Sequence, residues 1–291
     1  MKIAVMIMAH TDEAQLRALV DSLKQDFWIF IHIDAKSDIP DNTFEQNKNV
    51  WTIKKHTIYW GSPQMVYATV DLLRLAYSWG CDYYMLISGQ DMLIKPAKTI
   101  VSEIERGPIN YLDYDPMPKK DWPMNGGMDR LTLFWRLNSR RAGNSRFNIT
   151  SLLRRIQQIA GIRRRLFPLK YYGGASWFNI SREIAEFIIN FIDENPAYLK
   201  QFKHTISADE IFFHTLIMNS GLESKVINND KRYIDWTSGP ERPRTMRLED
   251  YDRIMASDDW FARKFDRQAD RNIVEKIKYA DQCRNRKITE A

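Results

Sequence analysis

The stretch KIAVMIMAHTDEAQLRALVDSLKQDFWIFIHID, residues 2–34, contains the architecture of this chain in miniature. It opens with a short apolar run bounded by polar residues, the pattern of a buried strand. Leu16, Leu19, Val20 and Leu23 then recur at helical spacing, and FWIFIHID reads as a second buried strand. Strand, helix, strand implies a crossover connection and therefore parallel pairing. Working outward, VWTIKKH (50–56) predicts a third strand. SPQMVYATVDLLRLAYSWG (62–80) predicts a helix that starts near Ser62–Pro63 and stops at Gly80, and DYYMLISGQDML (82–93) a fourth strand ending in a glycine-containing turn. The order β-α-β-β-α-β gives an α/β class with a mostly parallel sheet flanked by helices.

Ligands on such sheets bind beyond the carboxyl ends of the strands. The residues placed there are His10, Asp34, Trp60 and Asp91. Each alone is also ordinary turn chemistry, since Asp and Gly populate turns. Their joint placement predicts one shared pocket.

The 291 residues are enough for a substantial core. A net charge of +6 favours a polyanionic partner: nucleic acid, an anionic membrane face or a phosphorylated small molecule. Two cysteines without close spacing disfavour a disulfide scaffold or a cysteine zinc site, so a reducing cytoplasm fits best. The N-terminus lacks a small-residue cleavage site, and no stretch approaches the roughly 20 apolar residues of a membrane span.

The largest charge asymmetry lies between Asp129 and Glu183, which encloses many arginines and no carboxylate. Within it, ITSLLRRIQQIAGIRRRLF (149–167) sets Leu152, Leu153, Ile156 and Ile159 against Arg154, Arg155, Arg163 and Arg164. A basic amphipathic helix of this kind either binds a membrane surface or packs on the body with its arginines in water. From Arg140 to Lys170 the aromatic residues are Phe147 and Phe167, too few for a nucleic-acid surface, so no nucleic acid is expected. Further on, Gly173–Gly174 permit close backbone approach, SWFNI predicts a strand, and Ser181 opens a helix.

HTISADEIFFHTL (204–216) leaves three readings open. Ser207-x-x-Glu210 before apolar residues is a capping box. Glu210 and His214, four apart on a helix, share a face and suggest two metal ligands, though two ligands do not make a site and H-E-x-x-H is absent. A carboxylate at a helix start beside a sheet pocket is also a general base. No G-x-G-x-x-G, G-x-x-x-x-G-K-[ST] or G-x-S-x-G occurs, which disfavours dinucleotide, P-loop and esterase classes.

Eight segments in order, MIMAH, IFIHIDAKS, IYWGSPQMVYATVDLL, YYMLISGQDMLIK, GGASWFNISR, SADEIFFHTL, YIDW and WFARKFD, resemble the core-2/I-branching β-1,6-N-acetylglucosaminyltransferase family, which includes the peptide xylosyltransferases. The resemblance covers about residues 2–266 and is weakest over 115–170. It implies a short bacterial member without the membrane anchor and many cysteines of the animal enzymes. It implies a single GT-A-type, Rossmann-like catalytic domain over 1–291, with a nucleotide-sugar half (1–112), a basic variable insert (113–170) and an acceptor and catalytic half (171–291). The implied reaction is an inverting transfer of a sugar, N-acetylglucosamine or xylose, from a UDP-sugar donor to a glycan or lipid-linked glycan in surface polysaccharide synthesis. No metal cofactor, Mn or Mg, is expected, and DYD at Asp113–Asp115 is read as acceptor-side or incidental. Glu210 matches the family's base. A basic pair receives the leaving diphosphate: Lys264, with Arg244 as partner and Arg242 as the rival. His10, Asp34, Trp60 and Asp91 carry over as nucleotide or donor contacts, and Asp113, Trp177 and Trp236 as acceptor contacts. The basic segment Arg140–Arg165 would hold the protein peripherally on the inner membrane face, near lipid-linked acceptors. Metal-dependent transfer with another donor, sugar-nucleotide binding without turnover, and a basic-patch nucleic-acid-binding protein are the alternatives.

Overall fold

The computed structural model describes residues 1–107, 110–135, 149–239 and 242–289. The main sheet has seven strands: β1 (Ile3–Ala9), β2 (Trp28–Ile33), β3 (Val50–Ile53), β4 (Tyr83–Ser88), then, after the short β5 (Met92–Leu93), β6 (Asn110–Leu112). The short hairpin strands β7 (Asp115–Pro116) and β8 (Tyr172–Gly173) precede the last two members, β9 (Phe178–Ser181) and β10 (Val226–Asn228). Their order is β10-β6-β9-β4-β1-β2-β3. A second sheet, in the order β11-β12-β5, joins β11 (Arg232–Ile234) and β12 (Phe261–Arg263) to β5.

Strand β1 is buried on both faces, as a central parallel strand must be. Its side chains alternate between two cores. Ala4, Met6 and Met8 join Val66, Leu72 and Leu73 of the helix Gln64–Ser78. Ile3, Val5 and Ile7 join Leu16, Leu19 and Leu23 of the helix Glu13–Leu23 on the opposite side. The first helix starts where Asp12 caps it, accepting from the Gln15 N–H at 3.0 Å.

The four parallel strands agree with the sequence expectation. The strand predicted from SWFNI is different in kind: β9 is antiparallel to both β4 and β6. The chain re-enters the sheet from Gly173–Gly174, at the edge where β4 ends, so β9 has to run back. That route brings the glycine pair to the ligand-binding edge of the sheet. The second sheet does the same for the C-terminal part, because β12 lies antiparallel to β5 just beyond β4. The LEDYDRIM segment is a 3-10 turn, Leu248–Asp250, followed by the helix Tyr251–Met255.

Candidate functional site

Two clusters of polar groups stand at the carboxyl edge of the main sheet, joined by the loop after β3. The first surrounds the ends of β1 and β2. The Asp34 N–H donates to the Ala9 carbonyl at 2.8 Å. The Asp34 carboxylate is buried and accepts from the Lys36 and Ile58 backbone N–H groups, while the Lys36 ammonium pairs with it. His10 is exposed beside them. Desolvation and then the charges of Lys264 and Lys36 hold its imidazole below the ordinary value, with Asp34 opposing. The fold thus brings Lys264 to His10 and Asp34 across more than two hundred residues. β12 delivers it, and the Phe265 N–H is tied to the Gln90 carbonyl at 2.9 Å.

Lys264 is held below the usual lysine value by burial and then by Arg263, with Asp266 opposing and Arg242 adding to the depression. Arg242, exposed, is thus within electrostatic range of Lys264, with a weaker effect than Arg263. Arg244 is already engaged by carboxylates. Its guanidinium pairs with Asp235 at 3.0 Å and with Asp250, and Arg253 closes the same cluster at 2.9 and 3.0 Å. The structure makes Arg244 a clasp of the 235–250 loop.

Asp91 carries no exposed surface. It lies between the buried guanidinium of Arg232, 3.7 Å from its Nε, and the mostly buried one of Arg263, 3.4 Å from its Nε, and accepts from the Ser88 N–H at 3.1 Å. Burial lifts its carboxyl above the usual range against the pull of Arg263 and Arg232. Asp91 therefore braces the junction of the two sheets. Trp177 is also buried, with Arg263 over its ring at 4.2 Å, so it supports this junction from the other side.

The linking loop carries Ile58, bonded to Asp34, then Trp60, 75% exposed, and Gly61, whose carbonyl accepts from the Ser207 N–H at 2.8 Å. That bond leads to the second cluster. Ser207 adopts a left-handed backbone (φ 47°) and its side chain makes no cap, so the capping box is not formed. A 3-10 turn over Ala208–Glu210 precedes the helix Phe212–Ile217. Glu210 and His214 therefore do not share a helix face. His214 is fully buried, bonds the Ala175 carbonyl at 2.8 Å, and is pushed down to about 4 by burial. It is a neutral core histidine, not a ligand poised beside Glu210. Among the described residues, no group of three His, Cys, Asp or Glu is placed to hold a metal ion.

Glu210 keeps 33% of its side chain accessible and pairs with Arg130 of the helix Met128–Thr132 at 2.5 Å. Burial and then the adjacent Asp209 raise its carboxyl above the ordinary glutamate range, opposed by Arg130 and Lys119. Asp209 is raised by burial as well and accepts from the Ser176 hydroxyl at 2.7 Å. Arg130 in turn lies over Trp122 at 4.2 Å. The glycine pair makes this packing possible. A Cβ on Gly173 would meet Trp122 at 2.8 Å, and one on Gly174 would fall 1.8 Å from the Asp113 carbonyl oxygen. Asp113, half-buried between β6 and β7, accepts from the Ala175 N–H at 3.2 Å and so touches the loop whose Gly174 N–H bonds the Glu210 carbonyl. Asp115 pairs with Lys119 at 2.6 Å. Trp236 is half exposed at the end of β11.

Sequence reasoning missed Arg130, Lys36 and the Ser176–Asp209 bond. Lys36 stands two residues beyond Asp34 within the quoted IFIHIDAKS segment. Arg130 is 80 residues from its partner and carries no local signal.

A family model described as Core-2/I-Branching enzyme matches residues 3–256. The chain belongs to the core-2/I-branching enzyme family. Xylosyltransferase 1 of Homo sapiens is 23% identical over 96% of this chain and 30% of its own length. Beta-glucuronosyltransferase GlcAT14B of Arabidopsis thaliana is 32% identical over 37% of this chain and 25% of its own length. The chain thus spans less than a third of these curated relatives. Among solved structures, S. aureus TarS 1-349 in complex with UDP aligns over 88% of this chain and 63% of its own, with 14% identity and a TM-score of 0.39. The family match ends before β12, so Lys264 lies outside it. Among the described residues, no helix is long and apolar enough to cross a membrane.

Proposed function

We propose that this branching-family protein transfers a sugar, N-acetylglucosamine or xylose, from a UDP-sugar to a glycan hydroxyl with inversion, in surface polysaccharide synthesis. One observation carries the reading. A partly accessible carboxylate, raised above the ordinary glutamate value, and a cationic cluster stand on the same sheet edge, joined by one loop. A base raised from the ordinary glutamate value accepts a proton more effectively near neutrality.

In this mechanism Glu210 takes the proton of the acceptor hydroxyl as that oxygen attacks C1 of the donor sugar. The C1–oxygen bond to the diphosphate breaks as the new one forms, and UDP leaves from the opposite face. Lys264 and Arg242 meet the developing negative charge, cations aimed where charge builds up in the transition state. Arg242 is taken as the partner because the Arg244 guanidinium is committed to Asp235 and Asp250. His10 and Trp60 flank the nucleoside, with Asp34 and Lys36 ordering that end. Asp113 and Trp236 line the acceptor side. Residues 1–112 then form the donor half, and 171–291 supply base and cations.

The test is calorimetric titration of UDP in excess EDTA, repeated with manganese. Binding in EDTA, weakened by Lys264→Ala and by Arg242→Ala, is expected. Binding only with manganese would sink the basic-pair part and make Asp34, Asp113 and Asp115 candidate ligands. With the donor then found by screening UDP-sugars, Glu210→Gln should lower kcat by about 10²–10⁴-fold while UDP affinity holds. A small loss would remove Glu210 as the base.

A further inference from the structure

A surface helix of a globular protein normally turns its apolar stripe to the core and its polar face to water. The helix Ile149–Ile159 does the reverse. Leu152, Ile156 and Ile159 are 59%, 49% and 86% exposed, and Leu153 and Ile162 are exposed beside them. The polar face holds the helix to the body. Gln157 is buried and reads one backbone unit twice, accepting from the Phe134 N–H at 2.8 Å and donating to the Phe134 carbonyl at 3.1 Å. Gln158 donates to Asp129 at 2.9 Å, and Arg154 turns its Nε inward.

The exposed charges that the described part of this segment carries have one sign. Arg155, Arg163 and Arg165 are exposed. Arg164 is not among them: it bonds the Leu133 and His204 carbonyls and the Thr205 hydroxyl, and so anchors the segment. No carboxylate occurs in the sequence between Asp129 and Glu183. Arg140, Arg141 and Arg146, part of the same basic stretch in sequence, lie outside the described residues.

We propose that this helix docks on an anionic lipid surface, with its apolar stripe among the acyl chains and Arg155, Arg163 and Arg165 at the headgroups. Apolar burial and attraction to anionic headgroups are the two contributions an interfacial helix needs, and both are presented on one side here. The position gives the surface a purpose. Gln158 bonds Asp129, and the next residue, Arg130, pairs with Glu210. One short helix, Met128–Thr132, therefore separates the lipid-facing stripe from the candidate base. The docking itself depends only on the exposed face and stands or falls apart from the role given to Glu210.

The experiment is co-sedimentation of the full chain with vesicles of phosphatidylglycerol and phosphatidylcholine, against phosphatidylcholine alone, at about 0.15 M salt. Binding to the anionic vesicles alone is expected. The double variant Ile156→Ser/Ile159→Ser and the triple variant Arg155→Gln/Arg163→Gln/Arg165→Gln should each weaken it by about tenfold or more. Both change exposed side chains, so their melting temperatures should match the parent. Absence of binding to anionic vesicles, equal binding to both compositions, or binding that survives both variants overturns the proposal. So does a dimer seen by sedimentation that the isoleucine variant dissolves, since a second copy would then be what covers the stripe.

Discussion

Asp91→Asn separates two roles for a residue that the sequence places near the donor and the structure places inside the molecule. At 3.4 and 3.7 Å from two guanidiniums, each pairing amounts to ~4.5–5 kcal/mol at an effective dielectric of about 20. Desolvation offsets much of that. Burial also holds Arg232 and Arg263 below the usual arginine value, and in both cases Asp91 is the largest opposing charge. Removing that charge alone leaves two buried cations under-compensated, a change that costs about 3–5 kcal/mol. With an unfolding entropy of roughly 2.1 cal/mol/K per residue over 291 residues, this lowers Tm by about 5–8 °C. Asparagine keeps the size and can still accept from the Ser88 N–H, so charge is the main thing removed. Thermal unfolding followed by circular dichroism reads the result, and UDP titration of the same sample reads the site. An unchanged Tm with UDP affinity lost would refute the brace and return Asp91 to the donor contacts.

Three further outcomes follow from the site geometry. Arg130→Met should move the acid limb of kcat/KM to higher pH. Glu210 works ionised, its proton affinity is already raised by burial and Asp209, and Arg130 is the first group opposing that rise; an unmoved limb in a pH-rate profile would count against Glu210 as base. Arg244→Ala should destabilise by about 1–3 kcal/mol with little effect on UDP binding, whereas Arg242→Ala should weaken UDP binding and leave Tm alone. Gly174→Ala should destabilise by about 1–3 kcal/mol or more, because the new Cβ would overlap the Asp113 carbonyl oxygen and push apart the loop that bonds Glu210; an unchanged Tm would mean that the loop relaxes freely.

The sheet core was readable because its signals are local. An apolar run and a helical period each fit within a few residues, and β1, β2 and β4 with their helices follow from them. The direction of β9 was not readable, since it depends on where a chain returning from residue 171 meets the sheet. The site divides the same way. His10 and Asp34 follow directly from strand ends, but whether a strand-end acid faces solvent depends on what packs over it, and at Asp91 that is Arg232 and Arg263 from the far end of the chain. Ser207-x-x-Glu210 has the letters of a capping box, yet the bond from the Ser207 N–H to Gly61 and its left-handed backbone hold another turn. The amphipathic period of residues 149–167 was visible too. Which face turns outward was set by Gln157 reaching the Phe134 backbone, a contact no periodicity contains.

The small sheet has a consequence for the order in which this protein becomes competent. Four parallel strands and their helices are complete by residue 88, and such a unit can gather its core while the rest is still being synthesised. Lys264 reaches His10 only with β12, and it seats only when that strand pairs with β5. A nascent chain halted before Phe261 would carry the sheet, the loop after β3 and Glu210, but no Lys264. Under the role proposed for Lys264, full donor affinity would then be among the last properties acquired during synthesis.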